Sequence, residues 1–354
     1  MELFYEVNDK PYSIYGVDSV SDLIEKGNLS NQKYIFIIDN SVKNLIDLEL
    51  VGSKCIYLDY NGETDKNLDY AQTVLSKILK FPISRRSCLV VVGGAGISDI
   101  IGYIASQLMR GVDWIQVPTT LMAMVDCTVG KVAINFKNRK NILGAFNSPN
   151  KVIIDFNLLE TMPEYLIKEG LVESVKCAFS FNDTDLKGKI MDYIENKQLR
   201  LLRKIIERSI VWKISVVQND FYDTNNIQKA VSYGHTFANV FEEYKMCSHG
   251  IAVLNGMLLA SFISCKRNYI QNNILEEHHF FFNWLSTEKQ IVFSDIDIKD
   301  FIEKMKRDKI TKNNEICAVL LKNHSFEVSI LDEEEVHYAI SKASEIQEIG
   351  GNYQ

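Results

Sequence analysis

Val90-Val91-Val92-Gly93-Gly94-Ala95-Gly96, followed by Ser98, Asp99 and the helical run Ile100 to Met109, decides how the first half of this chain is read. An apolar run that stops at paired glycines and resumes with helical spacing predicts a strand, a tight turn and a helix start. Backbone amides at such a turn can approach a pyrophosphate closely. The same turn also occurs with no ligand, and the spacing here is not GxGxxG. Outward from it, short runs rich in Val, Ile and Tyr recur at Tyr34 to Asp39 (YIFIID), Cys55 to Leu58, Cys88 to Val92 (CLVVV), Trp114 to Val117 and Lys151 to Asp155 (KVIID). Stretches with helical spacing, such as Asn67 to Leu79, separate them. Continuous apolar strands alternating with helices predict an open α/β domain over residues 1–157, with a mostly parallel sheet covered on both faces.

From Asn157 onward the pattern changes to long amphipathic segments: Pro163 to Phe181, Lys197 to Gln218, Asn226 to Tyr244 and Gly250 to Tyr269. Strand candidates are few, so residues 158–354 read as an all-α domain. No repeat or Pro/Gly-rich linker divides the halves, and the chain holds only 5 prolines. Two domains with a broad interface and a cleft between them are expected, and such a cleft is a favoured ligand site.

The 354 residues, 46% hydrophobic and 24% charged, are enough to bury a large core. A formal net charge of −7 leaves no global basic field for nucleic acid or acidic lipid. An anion site must then be built locally from a few lysines and arginines, which points to a small anionic ligand and to neither nucleic acid nor a membrane. The 7 cysteines are odd in number and form no CxxC pair, which suits reduced thiols. MELFYEVNDK lacks a basic segment followed by an apolar run, and no apolar stretch reaches the roughly 18 residues needed to span a bilayer. A cytoplasmic location is expected.

Glu173, His235 and His249 lie on or beside predicted helices of the second half. Two neutral imidazoles and a carboxylate make a three-ligand site for Zn²⁺ or a similar ion, with a position left open for substrate hydroxyls. A histidine near a helix start, as in Tyr233-Gly234-His235-Thr236, also reads as a structural residue. His278, His279, His324 and His337 sit among charged or polar neighbours and read as surface residues. Arg110, Lys131, Lys140 with Asn141, Lys176, Lys213 and Lys309 are cations or their neighbours that read equally as solvated charges. Lys176, however, follows Glu173 by three residues and shares its helical face.

Taken together, these segments resemble 3-dehydroquinate synthase and the wider sugar phosphate cyclases. The resemblance is carried by MRGVDWIQVPTTLMAMVD from Met109, then KNILGAF and GLVESVK, against family patterns MRG…Q.PTTLLA..D, GKN.IGAF and GL.E..K. YGHTF and SHGIAVLNGM match GHT.GHA.E and HGEAV..GM in order and spacing, so the likeness runs from Asp39 to Leu321. It implies a Rossmann-like nucleotide-binding domain, a helical metal-binding domain and a homodimer. The metal ligands would be Glu173, His235 and His249, with Zn²⁺ or Co²⁺ as the ion. NAD would lie with its pyrophosphate against Gly93, Gly94 and Gly96 and beside Asp99. Asp39, Glu63 and Lys66 would serve the adenosine side, Thr119, Thr120 and Asp126 the nicotinamide side, and Lys140 would also contact the cofactor.

By the same likeness, Lys131, Asn141, Lys176, Lys213 and Lys309 would meet oxygens of a small phosphorylated sugar, and Arg110 would reach the phosphate in the neighbouring subunit's site. The activity implied is transient oxidation by NAD, phosphate elimination and intramolecular aldol closure to a carbocycle. Several positions depart from the pattern. Ala95 and Ser98 replace glycines, and the segment Asp126 to Val132 is one residue short, which blurs the placement of Lys131. Gln228 stands where the family has an arginine that holds the substrate carboxylate, and Ser232 where it has asparagine. Asn239 takes the catalytic position of a second histidine and Ile251 that of a glutamate; an amide hydrogen-bonds but relays no proton near neutral pH. The expected function is a cyclase whose substrate need not be the usual keto-acid phosphate. A metal- and NAD-dependent polyol dehydrogenase and a catalytically silent relative remain the alternatives.

Overall fold

The computed structural model describes residues 1–7, 10–19, 33–45, 54–126, 129–137, 139–244, 246–286, 291–307, 315–323 and 325–349. Lys309 and His324 lie outside them. The chain forms two compact units, one of residues 1–167 and 206–222, the other of residues 168–205 and 223–354. The division thus falls after 157, and the long helix Leu199–Asn219 contributes to both units.

In the first unit, strands β1 (Glu2–Val7), β2 (Lys10–Val17), β3 (Tyr34–Asp39), β4 (Cys55–Leu58), β5 (Cys88–Gly93), β6 (Asp113–Pro118) and β9 (Lys151–Asp155) form a sheet in the order β1-β2-β9-β6-β5-β3-β4. All neighbouring pairs are parallel except β1 with β2. The five apolar runs are therefore strands. Every residue of β3 and β5 is buried, as the uninterrupted Val and Ile content predicts. Helices α1 (Leu68–Ile78) and α2 (Ala95–Gln107) cover one face of the sheet, with Val74, Ile78, Ile100 and Ile104 set against Ile35, Ile37, Leu89 and Val91. β3 and β5 pair directly although β4 lies between them in sequence. The strand order reverses there, and ligands of open α/β sheets bind at the carboxyl ends of strands at such a reversal.

Two features of this unit were not apparent in the apolar runs. In β1 and β7 (Lys131–Phe136) buried residues alternate with exposed or half-buried ones, β2 buries only Ser13 and Ile14, and β8 (Arg139–Phe146), which pairs with β7 in a hairpin, buries none, so neither ribbon shows an unbroken buried apolar run. In β7 the buried positions are Val132 and Ile134, and a Cβ on Gly102 of α2 would stand 2.6 Å from the Val132 side chain. That glycine lets the hairpin lie on the helix.

The second unit is helical: α4 (Glu164–Ser180), α5 (Thr184–Asn196), the start of α6 (Leu199–Asn219), α7 (His235–Glu243), α8 (His249–Lys266), α9 (Asn272–Leu285), α10 (Ile298–Met305) and α11 (Glu333–Ile349), after the short α3 (Leu121–Val125) of the first unit. It is not all-α. Ile316–Lys322 and Ser325–Leu331 form the antiparallel hairpin β10/β11, whose first strand is a buried apolar run of the kind that reads equally as helix or strand. The expected helix Asn226 to Tyr244 is broken as well. Ile227–Ser232 is a 3₁₀ turn, and Gly234 takes φ +81°, a left-handed conformation that ends one element and lets α7 start at His235. Among the described residues, α8 is the one helix long and apolar enough to cross a membrane, and 83% of it is buried in the protein.

His278 is not a surface residue. Its ring stacks on Phe179 at 3.7 Å between centroids, Nδ1 lies 2.8 Å from the Ile274 carbonyl, and Nε2 lies 3.0 Å from the hydroxyl of fully buried Tyr233, which donates to the Met257 carbonyl at 3.1 Å. Burial pushes its pKa down to about 3, with Lys187 and His279 adding to the shift and the Ile274 bond opposing it. Folded His278 is then neutral where the unfolded residue, with its pKa near 6.5, takes up a proton. Stability is complete above that value and falls as pH drops toward 3, by up to about 1.4 kcal/mol per pH unit for one proton. Urea midpoints measured from pH 7 to 4 should fall more steeply for the wild type than for His278→Gln. Parallel curves would contradict this account.

Candidate functional site

The cluster most able to do chemistry lies wholly within the second unit. Glu173 of α4, His235 at the first position of α7 and His249 at the first position of α8 each offer a ligand atom, and these atoms lie within 4.8 Å of one another. Glycines set this spacing. A Cβ on Gly234 would stand 2.7 Å from the Met257 nitrogen, and one on Gly256 would collide with the Gly234 carbonyl, so α7 and α8 touch backbone to backbone. A Cβ on Gly250 would stand 2.9 Å from the Glu169 Cα, one helical turn before Glu173. Each contact sits beside a ligand in sequence, and the imidazole centroids end up 5.6 Å apart.

Glu173 is buried and ion-paired with Lys176, which is itself buried. Burial works against a charged Glu173, but Lys176, His249 and His235 outweigh it and hold the carboxyl well below its usual range. Its second oxygen, Oε1, is buried and makes no hydrogen bond; His249 Nε2 lies 3.5 Å away. A buried carboxylate oxygen left bare costs a desolvation penalty that a cation would remove. The His249 side chain stays 40% exposed, and the cost of burying the ring is outweighed by the nearby carboxylates of Glu173 and Glu242, which lift its pKa to about 10. Two imidazole nitrogens and an orphaned carboxylate oxygen around one point are a fitting donor set for Zn²⁺ or Co²⁺.

The first unit gathers a second group at the carboxyl ends of β3, β5 and β6. Gly93 ends β5, its carbonyl accepts from the Thr119 amide at 3.0 Å, and a Cβ on it would stand 3.4 Å from the Asp39 Cβ. Asp39 ends β3 and accepts from the Ser41 amide at 2.9 Å. Thr120 caps α3 by accepting from the Ala123 amide at 3.2 Å, and Ser98 donates to the Gly94 carbonyl at 2.9 Å. The glycines have different reasons. On Gly96 a Cβ would collide with the Tyr60 hydroxyl. Gly94 has φ −75°, open to any residue, and a Cβ there would reach only Thr120, at 3.5 Å. Neither conformation nor protein packing demands glycine at 94. The space over Gly94 is open to a group from outside the chain, of the kind that binds at a helix start.

Beside this edge, buried Lys66 pairs with Asp99 at 2.5 Å and donates to Asn141 at 2.8 Å; burial pushes the Asp99 carboxyl up against the pull of Lys66. Glu63 accepts from Asn135 at 2.7 Å and lies 3.7 Å from Lys140. Asn141, read from sequence as a substrate residue, is thereby grouped with the cofactor candidates. Lys131 stands opposite Phe146, at the far end of the same hairpin. Asp126 holds Lys213 at 2.8 Å. Arg110 is exposed, with φ +69°. In the second unit Gln228 is buried, Lys229 pairs with Asp223 at 3.1 Å, Ser232 is half-buried, and Asn239 stands one turn after His235 on the same face of α7. Lys309 lies outside the described residues. Sequence reading passed over Glu242, whose carboxylate lies 3.0 Å from His249 Nδ1, although it matches the last acid of the pattern GHT.GHA.E.

The family models for the N-terminal and C-terminal parts of 3-dehydroquinate synthase match residues 57–169 and 170–311. A 3-dehydroquinate synthase of Coxiella burnetii is 32% identical over 333 residues, covering 90% of this chain and 91% of the relative. The chain belongs to the 3-dehydroquinate synthase family. Another 3-dehydroquinate synthase, from Campylobacter fetus, is 32% identical over 347 residues, covering 94% of this chain and 98% of its own. Solved structures share the family's fold at lower identity. A 2-deoxy-scyllo-inosose synthase in complex with carbaglucose-6-phosphate, NAD⁺ and Co²⁺ gives a TM-score of 0.83 at 21% identity, covering 97% of this chain and 99% of that one. The 2-epi-5-epi-valiolone synthase of Streptomyces hygroscopicus, with NAD⁺ and Zn²⁺ bound, gives 0.82 at 20%, covering 98% and 99%. An iron-containing alcohol dehydrogenase gives 0.67 at 14%, covering 98% and 99%.

If Glu173, His235 and His249 form one metal centre, losing any of them leaves a two-ligand remnant of far lower affinity. Wild-type protein equilibrated with Zn²⁺ and freed of excess ion should keep about one ion per chain, and each of Glu173→Ala, His235→Ala and His249→Ala far less. Full retention by His235→Ala would contradict the assignment.

Proposed function

We propose that this protein is an NAD- and divalent-metal-dependent sugar phosphate cyclase, a carbon–oxygen lyase that eliminates phosphate and closes a carbocycle. The observation that carries this reading is the Glu173, His235 and His249 cluster with its bare, buried carboxylate oxygen, in a member of the 3-dehydroquinate synthase family. The NAD⁺ with Co²⁺ or Zn²⁺ in two structures of like fold supports the same pair of cofactors here.

Glu173, His235 and His249 would hold Zn²⁺, or Co²⁺ in its place, which would supply Lewis acidity toward substrate oxygens, and bound NAD would supply reversible hydride transfer at one carbinol with no net redox. Asp39, Gly93, Gly94, Thr119 and Thr120 would bind the dinucleotide, flanked by Glu63, Lys66, Asp99 and Lys140. The ketone formed by oxidation acidifies the adjacent C–H. The C–H proton would leave with the departing phosphate as the electron pair becomes a C=C bond and the C–O bond breaks; after the ketone is reduced back, ring opening would free an enolate whose aldol addition to the exposed carbonyl forms the ring bond. Lys176, with Lys131 and Lys213, would steady the oxyanions that develop along this course. Arg110 would serve the phosphate in a neighbouring subunit, which makes a homodimer the working form. The free cysteines among the described residues support a reducing, cytoplasmic setting.

The substrate is best read as a sugar phosphate without a carboxylate. Gln228 offers a neutral amide where the family has a guanidinium able to grip a carboxylate with two charge-assisted bonds. The two lysines that could compensate are already paired, Lys229 with Asp223 and Lys213 with Asp126. Phosphate release from a panel of sugar phosphates, with NAD⁺ and Zn²⁺ supplied, should favour carboxylate-free substrates. Gln228→Arg should raise kcat/KM toward the C7 keto-acid phosphate, by about tenfold for each ~1.4 kcal/mol that the new pair contributes. Efficient wild-type turnover of the keto acid, with little gain from arginine, would sink the substrate reading.

A further inference from the structure

His249 sits between two carboxylates. Its Nε2 faces Glu173 Oε1 at 3.5 Å, on the side of the three-residue cluster, while its Nδ1 lies 3.0 Å from Glu242 Oε1, on the opposite side of the ring. Glu242 comes from α7, two turns after His235, so one helix supplies an imidazole to the cluster and also backs the imidazole supplied by α8. The Glu242 side chain is 10% exposed, which holds its carboxylate in a poorly screened position. His235 is backed differently. Its Nδ1 faces the Tyr233 backbone carbonyl at 3.4 Å, a longer contact with a neutral acceptor.

We propose that Glu242 is a positioning residue that fixes His249 as a ligand through Nε2. An imidazole that ligates through one nitrogen carries its proton on the other, and an acceptor aimed at that proton fixes both tautomer and ring angle. Glu242 does this with a full negative charge, which also raises the basicity of Nε2 and adds attraction for a cation without taking a coordination position. The ring most in need of such a hold is His249, because its side chain is 40% exposed and packing alone leaves it room to turn. This inference rests on the metal reading above.

The test is Zn²⁺ affinity by competition with a chromophoric chelator, on wild type, Glu242→Gln and Glu242→Ala, each shown by circular dichroism to be folded without metal. Loss of an outer-shell acceptor of this kind costs about 10- to 100-fold in affinity, and that is expected for Glu242→Ala. Glutamine keeps an oxygen that can accept from Nδ1–H, so Glu242→Gln should recover most of the loss. The imidazole Nδ1–H resonance of His249, followed by NMR in the Zn²⁺-loaded protein, should persist in wild type and Glu242→Gln and exchange away in Glu242→Ala. A residue that merely braces the helix would lower the melting temperature of both variants without separating their metal affinities. Folded Glu242→Ala that binds Zn²⁺ within about twofold of wild type overturns the proposal alone, whereas a wild type that binds no ion overturns the metal reading with it.

Discussion

Three helices of the second unit can bring their ligands to one point only because side chains are missing where the helices cross. Packed helices normally keep 8 to 10 Å between axes, set by the side chains at the contact. Gly234 and Gly256 remove those side chains between α7 and α8, and Gly250 removes one between α8 and α4. Each glycine lies within a turn of a ligand or of the contact that carries it, so a single added methyl group would act on the ligand distances directly. The left-handed turn at Gly234 has a second effect, since it starts α7 at His235 and leaves that ring on the first turn, free of a preceding turn of helix. The buried pair of Glu173 and Lys176 follows from the same closeness. Neither charge would be tolerated there alone, and a buried ion pair is costly unless its remaining polar atoms find partners. The free Glu173 Oε1 is the atom still lacking one.

The first unit arranges backbone and polar side chains at one edge of its sheet. Its strand order reverses between β3 and β5, so the loops after those strands diverge and leave Asp39, Gly93 and Gly94 at the sheet's carboxyl edge. Ser98 and Thr120 tie down the turn and the helix start beside it. Around this edge nearly every charge has a partner of opposite sign: Lys66 with Asp99, Lys140 with Glu63, Lys213 with Asp126. On a chain with net charge −7, these lysines are locally neutralised rather than part of a basic field.

What the sequence disclosed, and what it hid, follows from where apolar residues stand. The runs at β3, β5, β6 and β9 announced themselves because nearly every residue in them is buried, whereas β4, at the sheet edge, buries only Ile56 and Leu58 and leaves Tyr57 exposed. β7 stayed hidden because only alternate residues, Val132 and Ile134, go inward, and β8 because none of its residues is buried. Helical spacing continued through Gly234, so the segment from Asn226 read as one helix until the backbone showed the break. The ligand trio was readable as residue types, yet spacing gives no directions: that Glu173 Oε1 is bare, or that Glu242 stands behind His249, required coordinates. His278 misled for the opposite reason. Its neighbours Glu276, Glu277 and His279 are polar, while its own ring points inward onto Phe179.

The central claim is that oxidation by NAD is a means to acidify a C–H bond and is reversed within each turnover. It is tested most directly by following phosphate release and absorbance at 340 nm together, with NAD⁺ far below the sugar phosphate. The account predicts many phosphates released per NAD⁺ present, with no steady gain of NADH and no need for an added oxidant. NADH that accumulates in step with product, or phosphate release that stops after one equivalent of NAD⁺, would contradict it and place the protein among net dehydrogenases.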